Sequence, residues 1–158
     1  EFNSYRQYLN KEAIEKYSSA KTFSNIFLSP PVVSSIEKHG DISLKDSFLR
    51  IEYAIDQGNF WLKPHTDIGV KIFTMLFYIS EEEHAKSWGT DIFEDADNYH
   101  STVPYKSNKA LVFYPSNKTW HGFRPREING IRKTLILNYV TKEWRNRQEL
   151  VDPEIPVY

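Results

Sequence analysis

The chain has 158 residues, enough for one domain with a buried core and nothing that suggests a second unit. Lysine plus arginine (20) nearly cancel aspartate plus glutamate (21), so no strong field is available to hold a nucleic-acid backbone or an anionic bilayer, and neither is expected as an obligate partner. The sequence contains no cysteine, which excludes disulfides, thiolate catalysis and zinc–thiolate sites together and suits a reducing, cytoplasmic setting.

Along the chain, Tyr5, Leu9, Ala13 and Tyr17 recur at four-residue steps among Lys, Glu and Gln, a spacing that predicts an amphipathic helix from Tyr5 to Ala20. Ser29-Pro30-Pro31 interrupts it, and Pro31 can open a second short helix through Ile36 that stops at His39-Gly40. From Phe48 the pattern changes to strands. Leu49, Ile51, Tyr53 and Ile55 alternate with Arg50 and Glu52, as in a half-buried strand, and Asp56-Gln57-Gly58-Asn59 reads as a turn. Ile72 to Ile79, interrupted only by Thr74, is the longest apolar run. It is far too short for a membrane span, and a strand covered on both faces is expected over Val70 to Ile79. The N-terminus shows no basic-then-apolar signal.

A charged insert, Ser80 to Ser87, follows, and Ala110 to Tyr114 and Lys133 to Val140 complete the predicted strands. Short strands spaced by Gly, Pro and Asn turns, with helices ahead of them, predict a mainly β fold with flanking helices, a double-sheet jelly roll. Residues 1–47 would form a helical buttress, 48–142 the jelly-roll core and 143–158 an extension, with Leu150 to Tyr158 lying across the surface or onto a neighbouring chain.

The chemistry concentrates in His65-Thr66-Asp67. On a strand, residues two apart share a face, so His65 and Asp67 can reach one ion while Thr66 points away. His121 stands in Thr119-Trp120-His121-Gly122-Phe123, after another strand and turn. Two imidazoles and one carboxylate on one face of a metal leave positions open, which suits a non-haem iron(II) oxygenase. The last strand opens Arg132-Lys133-Thr134, placing Arg132, Thr134, Ile136 and Asn138 on one face. A guanidinium among apolar residues demands an anion: a bound carboxylate, or a strand acid such as Glu52. Arg124 and Arg126 read as exposed loop residues or as contacts for an anionic substrate.

With these parts in this order, the chain from Phe48 to Val140 resembles the iron(II)- and 2-oxoglutarate-dependent dioxygenases, particularly their compact prolyl-hydroxylase-like branch. The family pattern is matched in turn by His65-Thr66-Asp67, Phe77-Tyr78-Ile79-Ser80, Trp88-Gly89-Thr90-Asp91, His121-Gly122 and Arg132-Lys133-Thr134. It is departed from by Gly-Thr-Asp in place of paired glycines and by an extra residue before His65, which bears on Tyr53. The resemblance implies that His65, Asp67 and His121 ligate Fe(II). It implies that Arg132 pairs with the far carboxylate of 2-oxoglutarate, with Tyr78, Thr134 and Tyr53 nearby, and that Asn138 and Phe123 face the substrate. The implied reaction takes molecular oxygen and 2-oxoglutarate, hydroxylates a C–H bond of a small molecule or peptide side chain, and releases succinate and carbon dioxide. Retention of Asp67 favours hydroxylation over halogenation, for which the family gives up this carboxylate. A zinc-type hydrolase using the same ligands, or a non-catalytic jelly-roll binding module, are the competing readings.

Overall fold

The computed structural model describes residues 4–67 and 69–158. Among the described residues, nine strands form two antiparallel sheets. The larger has the order β1 (Ser4–Tyr8), β2 (Phe48–Gly58), β9 (Ile128–Val140), β4 (Lys71–Tyr78), β7 (Lys109–Phe113). The smaller has the order β3 (Leu62–His65), β8 (His121–Phe123), β5 (Asp91–Phe93), β6 (Tyr99–Thr102). Helices α1 (Lys11–Lys16), α2 (Ser18–Leu28) and α3 (Pro30–Gly40) precede β2.

Period-two alternation divides the larger sheet into two faces. On the helix side, Leu49 and Ile51 of β2, Phe73 and Met75 of β4 and Leu137 and Tyr139 of β9 pack with Leu9, Ala20 and Val33. On the other side, Leu76 and Tyr78 meet Phe60, Trp88, Tyr105 and Phe123 in a second core between the sheets. Both faces of β4 are therefore covered, which explains its long apolar run, whereas β2 and β9 bury Arg50, Glu52, Asp56, Arg132 and Asn138 on the second face. No helix among the described residues is long and apolar enough to cross a membrane.

The N-terminal segment departs from its periodicity. Ser4–Tyr8 is a strand, in register with β2 from Ser4 opposite Asp56 to Tyr8 opposite Glu52. Arg6 reaches across to the carboxylates of Glu52 and Asp56 at 2.8 Å each. An open sheet edge and two buried acids outweigh local helix preference. Asn10 then caps α1 by accepting from Ala13 N at 3.2 Å. Tyr17, with extended backbone, ends α1 and begins α2. The second predicted helix is present as α3, beginning one residue earlier and stopping at Gly40 as expected, with Asp41 left-handed at φ 49° beyond it.

The charged insert contains a 3₁₀ turn at Glu83–Trp88 that buries Ala85 and Trp88. The strands β5 and β6, three and four residues long, carry too little alternation to be read from sequence. The C-terminal segment lies on its own chain: Val151 N donates to Leu49 O at 2.9 Å, Val157 N to Ser47 O at 2.8 Å, and Leu150 bridges to Arg50.

Candidate metal centre

His65 and His121 are cross-strand partners in the β3–β8 pair, with ring centroids 4.4 Å apart. Gly122 permits this approach. A Cβ there would lie 2.8 Å from Leu62 O and 3.1 Å from Lys63 O, inside the packing distance of the neighbouring backbone. Each imidazole is fixed by its own strand: His65 Nδ1 donates to Lys63 O at 2.8 Å and His121 Nδ1 to Thr119 O at 2.9 Å. A carbonyl can only accept, so the proton of each neutral ring is on Nδ1 and the lone pair is on Nε2, the arrangement a metal ligand requires.

Asp67 follows β3 and is held by β4. Thr74 Oγ1 donates to Oδ2 at 2.6 Å and Lys71 Nζ to Oδ1 at 2.6 Å. Oδ1 also lies 4.0 Å from His121 Nε2. One ligand atom from each of His65, Asp67 and His121 falls within 4.8 Å of the other two, so one ion can be gripped by all three after a small contraction. Burial by itself would raise the Asp67 carboxyl, but the Lys71 ammonium and the bonds from Lys71 and Thr74 outweigh it and hold it below the usual carboxylate range. Burial lowers the His121 imidazole more than the Thr119 carbonyl and Asp67 raise it, which favours the neutral, ligating form.

The triad opens into a cavity of about 260 Å³ between the two sheets. At its far end stands Arg132, 7% exposed. Its Nε donates to Trp88 O at 2.7 Å and its Nη1 to Asp56 Oδ2 at 2.5 Å, while Nη2 has no partner among the described residues. Asp56 in turn accepts from Ser4 Oγ and Arg6 Nη1, both at 2.8 Å. Thr134, two residues along β9 and on the same cavity wall, buries an Oγ1 with no hydrogen-bond partner. A buried hydroxyl left unpaired beside a half-open guanidinium is a donor set shaped for a carboxylate.

The remaining candidates are placed as follows. Phe123 lines the cavity and lies beneath the Arg132 guanidinium, 4.9 Å from its centroid. Tyr78 is fully buried beside the cavity, its hydroxyl 2.9 Å from Thr90 Oγ1, and Thr90 is the residue of this pair that reaches the lining. Asn138 is also fully buried; it donates to Thr74 Oγ1 at 3.0 Å and accepts from Arg50 Nη1 at 3.1 Å, so it supports Asp67 instead of facing the open space. Tyr53 is turned away. Residues of β2 that line the cavity are Arg50, Glu52 and Asp56, and the odd-numbered Tyr53 packs on the helix side.

Sequence reasoning overlooked Asp56, Lys71, Thr74 and Thr90. Asp56 looked like a turn residue, yet it sits in β2 opposite Arg132 and replaces Glu52 as the acid expected there. Glu52 pairs with Arg6 and Arg50. Arg124 and Arg126 lie in the loop between β8 and β9, Arg124 exposed as expected and Arg126 half-buried, and neither lines the cavity. The Arg124 backbone N–H and Arg126 Nη1 both donate to buried Asp91 Oδ2, at 2.6 and 2.7 Å.

No protein-family model and no curated protein sequence matches the chain. Solved structures do. A prolyl-4-hydroxylase from Pseudomonas putida aligns with a TM-score of 0.60 at 16% identity, covering 87% of this chain and 72% of that one. An oxidoreductase of the 2OG-Fe(II) oxygenase family from Burkholderia pseudomallei aligns at 0.59 with 11% identity, over 77% of this chain and 57% of the other. HygX from Streptomyces hygroscopicus, solved with nickel, 2-oxoglutarate and hygromycin B bound, aligns at 0.58 with 12% identity, over 89% and 70%. The fold is that of the 2-oxoglutarate-dependent oxygenases, of prolyl-hydroxylase-like type.

Proposed function

We propose that this chain, built on the 2-oxoglutarate oxygenase fold, is itself an iron(II)- and 2-oxoglutarate-dependent oxygenase, its two sheets forming a double-stranded β-helix. The observation that carries the reading is the pairing of His65, Asp67 and His121 at one end of a cavity with Arg132 and the unpartnered Thr134 hydroxyl at the other. His65, Asp67 and His121 would hold Fe(II), with both imidazoles aimed by backbone carbonyls and the carboxylate by Thr74. Arg132 Nη2 and Thr134 would receive the far carboxylate of 2-oxoglutarate, and Phe123, with Thr90 supported by Tyr78, would shape the wall between. Bound iron and 2-oxoglutarate would supply the oxygen activation; the protein supplies the orientation of its ligands within the cavity. The balanced reaction joins one oxygen atom of O₂ to a substrate C–H bond as C–OH, while the other enters the succinate formed as 2-oxoglutarate loses carbon dioxide. The substrate is a small molecule or an exposed peptide side chain, which the modest cavity suits, and Asp67 suits hydroxylation as the outcome.

Anaerobic addition of iron(II) and 2-oxoglutarate to the metal-free protein is expected to produce a weak visible charge-transfer band, lost in His121→Ala. Metal uptake by the wild type without 2-oxoglutarate binding would falsify the assignment and leave a hydrolytic metal site as its replacement.

A further inference from the structure

Lys71 stands where a metal's positive charge would be needed. It opens β4, four residues beyond Asp67, and its Nζ donates at 2.6 Å to Asp67 Oδ1. This is the oxygen that lies 4.0 Å from His121 Nε2, whereas Oδ2 is already held by Thr74. A metal shared between Asp67 and His121 would therefore use the atom that Lys71 occupies. The other acids of the cavity are committed: Glu52 to Arg6 and Arg50, Asp56 to Arg6 and Arg132.

We propose that Lys71 is a tethered placeholder cation, which neutralises Asp67 in the metal-free protein and is displaced from Oδ1 when a divalent metal binds. The proposal rests on the metal site described above but not on 2-oxoglutarate. A carboxylate as buried as Asp67 is strongly destabilising without a cation, so a metal-free site needs a substitute. Lysine fits that task because its charge is compact and its stem flexible, whereas a forked arginine would remain clamped. The Lys71 side chain is 17% exposed and lines the cavity, so the ammonium has open space into which to swing. An ammonium and a divalent ion at the same oxygen repel, and metal loading thereby becomes an exchange of one cation for another. The site is kept formed before the metal arrives, at the expense of affinity.

The test is a calorimetric titration of manganese(II) into metal-stripped wild type, Lys71→Gln, Lys71→Met and Lys71→Arg, with thermal midpoints recorded with and without the metal. Gln and Met are expected to tighten manganese binding by at least about tenfold, to lower the midpoint of the metal-free form, and to leave that of the loaded form near wild type. Arg is expected to bind no more tightly than wild type. Should Gln or Met be unfolded when metal-free, refolding on manganese addition supports the exchange, and failure to refold overturns it. Equal manganese affinity in wild type, Gln and Met, or an equal loss of stability in both forms, overturns the placeholder role alone. Absence of stoichiometric uptake by every protein, wild type included, removes the metal site and with it the proposed function.

Discussion

At Thr134 a single oxygen separates a structural from a binding role. Its hydroxyl is buried without a partner, so replacing it by the near-isosteric valine removes a desolvation cost and should leave the fold as stable or more so. If the hydroxyl serves a carboxylate, Thr134→Val weakens 2-oxoglutarate binding by roughly tenfold or more, the value of a hydrogen bond to a charged group, while manganese affinity is unchanged. Titration of each ligand separately checks both halves. Asp91 makes a contrasting case, a buried acid whose bonds are all structural. Burial would raise its carboxyl, but hydrogen bonds from Thr102, the Arg124 backbone and Arg126 outweigh this and hold it below the ordinary value. A depressed folded value means that its contribution is present above the unfolded value, about 4, and is lost as pH falls through the folded one. Asp91→Asn should therefore cost on the order of 2 kcal/mol at neutral pH, a deficit that closes on acidification; urea melts across pH check it. His65, Asp67 and Arg132 stand out in the sequence when strand alternation and residue chemistry are read together with the order of parts that the family resemblance supplies. Asp56 is not, since alternation says which face a residue takes but never which residue lies opposite it.

The same limit governs whole elements. The long strands are plain in the sequence for two reasons: β4 is apolar along nearly its whole length, and β2 alternates apolar residues with Arg50 and Glu52. The pieces that complete the smaller sheet are three or four residues long and owe their conformation to pairing. β1 shows the converse: a periodicity suited to a helix gives way to an edge strand whose Tyr5 is 56% exposed, because Arg6 finds two carboxylates on β2. In the β3–β8 pair, Gly122 is the element-scale requirement for the close approach of His65 and His121 in the candidate metal centre. In Gly122→Ala the added methyl must push β8 from the Leu62 carbonyl, separating the imidazoles on either strand. Manganese affinity is expected to fall by more than about tenfold, in line with the cost of disturbed ligand support, while circular dichroism retains the β signal.

Across the molecule, the two cores serve different ends: one fastens the helices to the larger sheet, and the other sets the distance between sheets that defines the cavity. The C-terminal segment is joined to the candidate metal centre by a continuous run of hydrogen bonds, from Glu149 to Arg50, Asn138, Thr74 and Asp67. Tyr8 and Trp144 flank the Arg50 guanidinium at 4.9 and 5.0 Å. Glu149→Ala should therefore loosen more than the tail: Arg50 keeps Glu52 but loses the charge-assisted bond from its Nε, worth about 1.5–3 kcal/mol, and a fall in the thermal midpoint larger than that of the exposed Glu154→Ala checks it. The side-by-side placement of Asp56 and Arg132 has a consequence of its own. One edge of the guanidinium is already spoken for, leaving a single vacancy at a fixed depth. If 2-oxoglutarate binds as proposed, the end of the cavity would act as a ruler: a dicarboxylic acid with a shorter spacer would stop short of it when its other end is seated, and a longer one would overrun, so that chain length would be sorted before any chemistry begins.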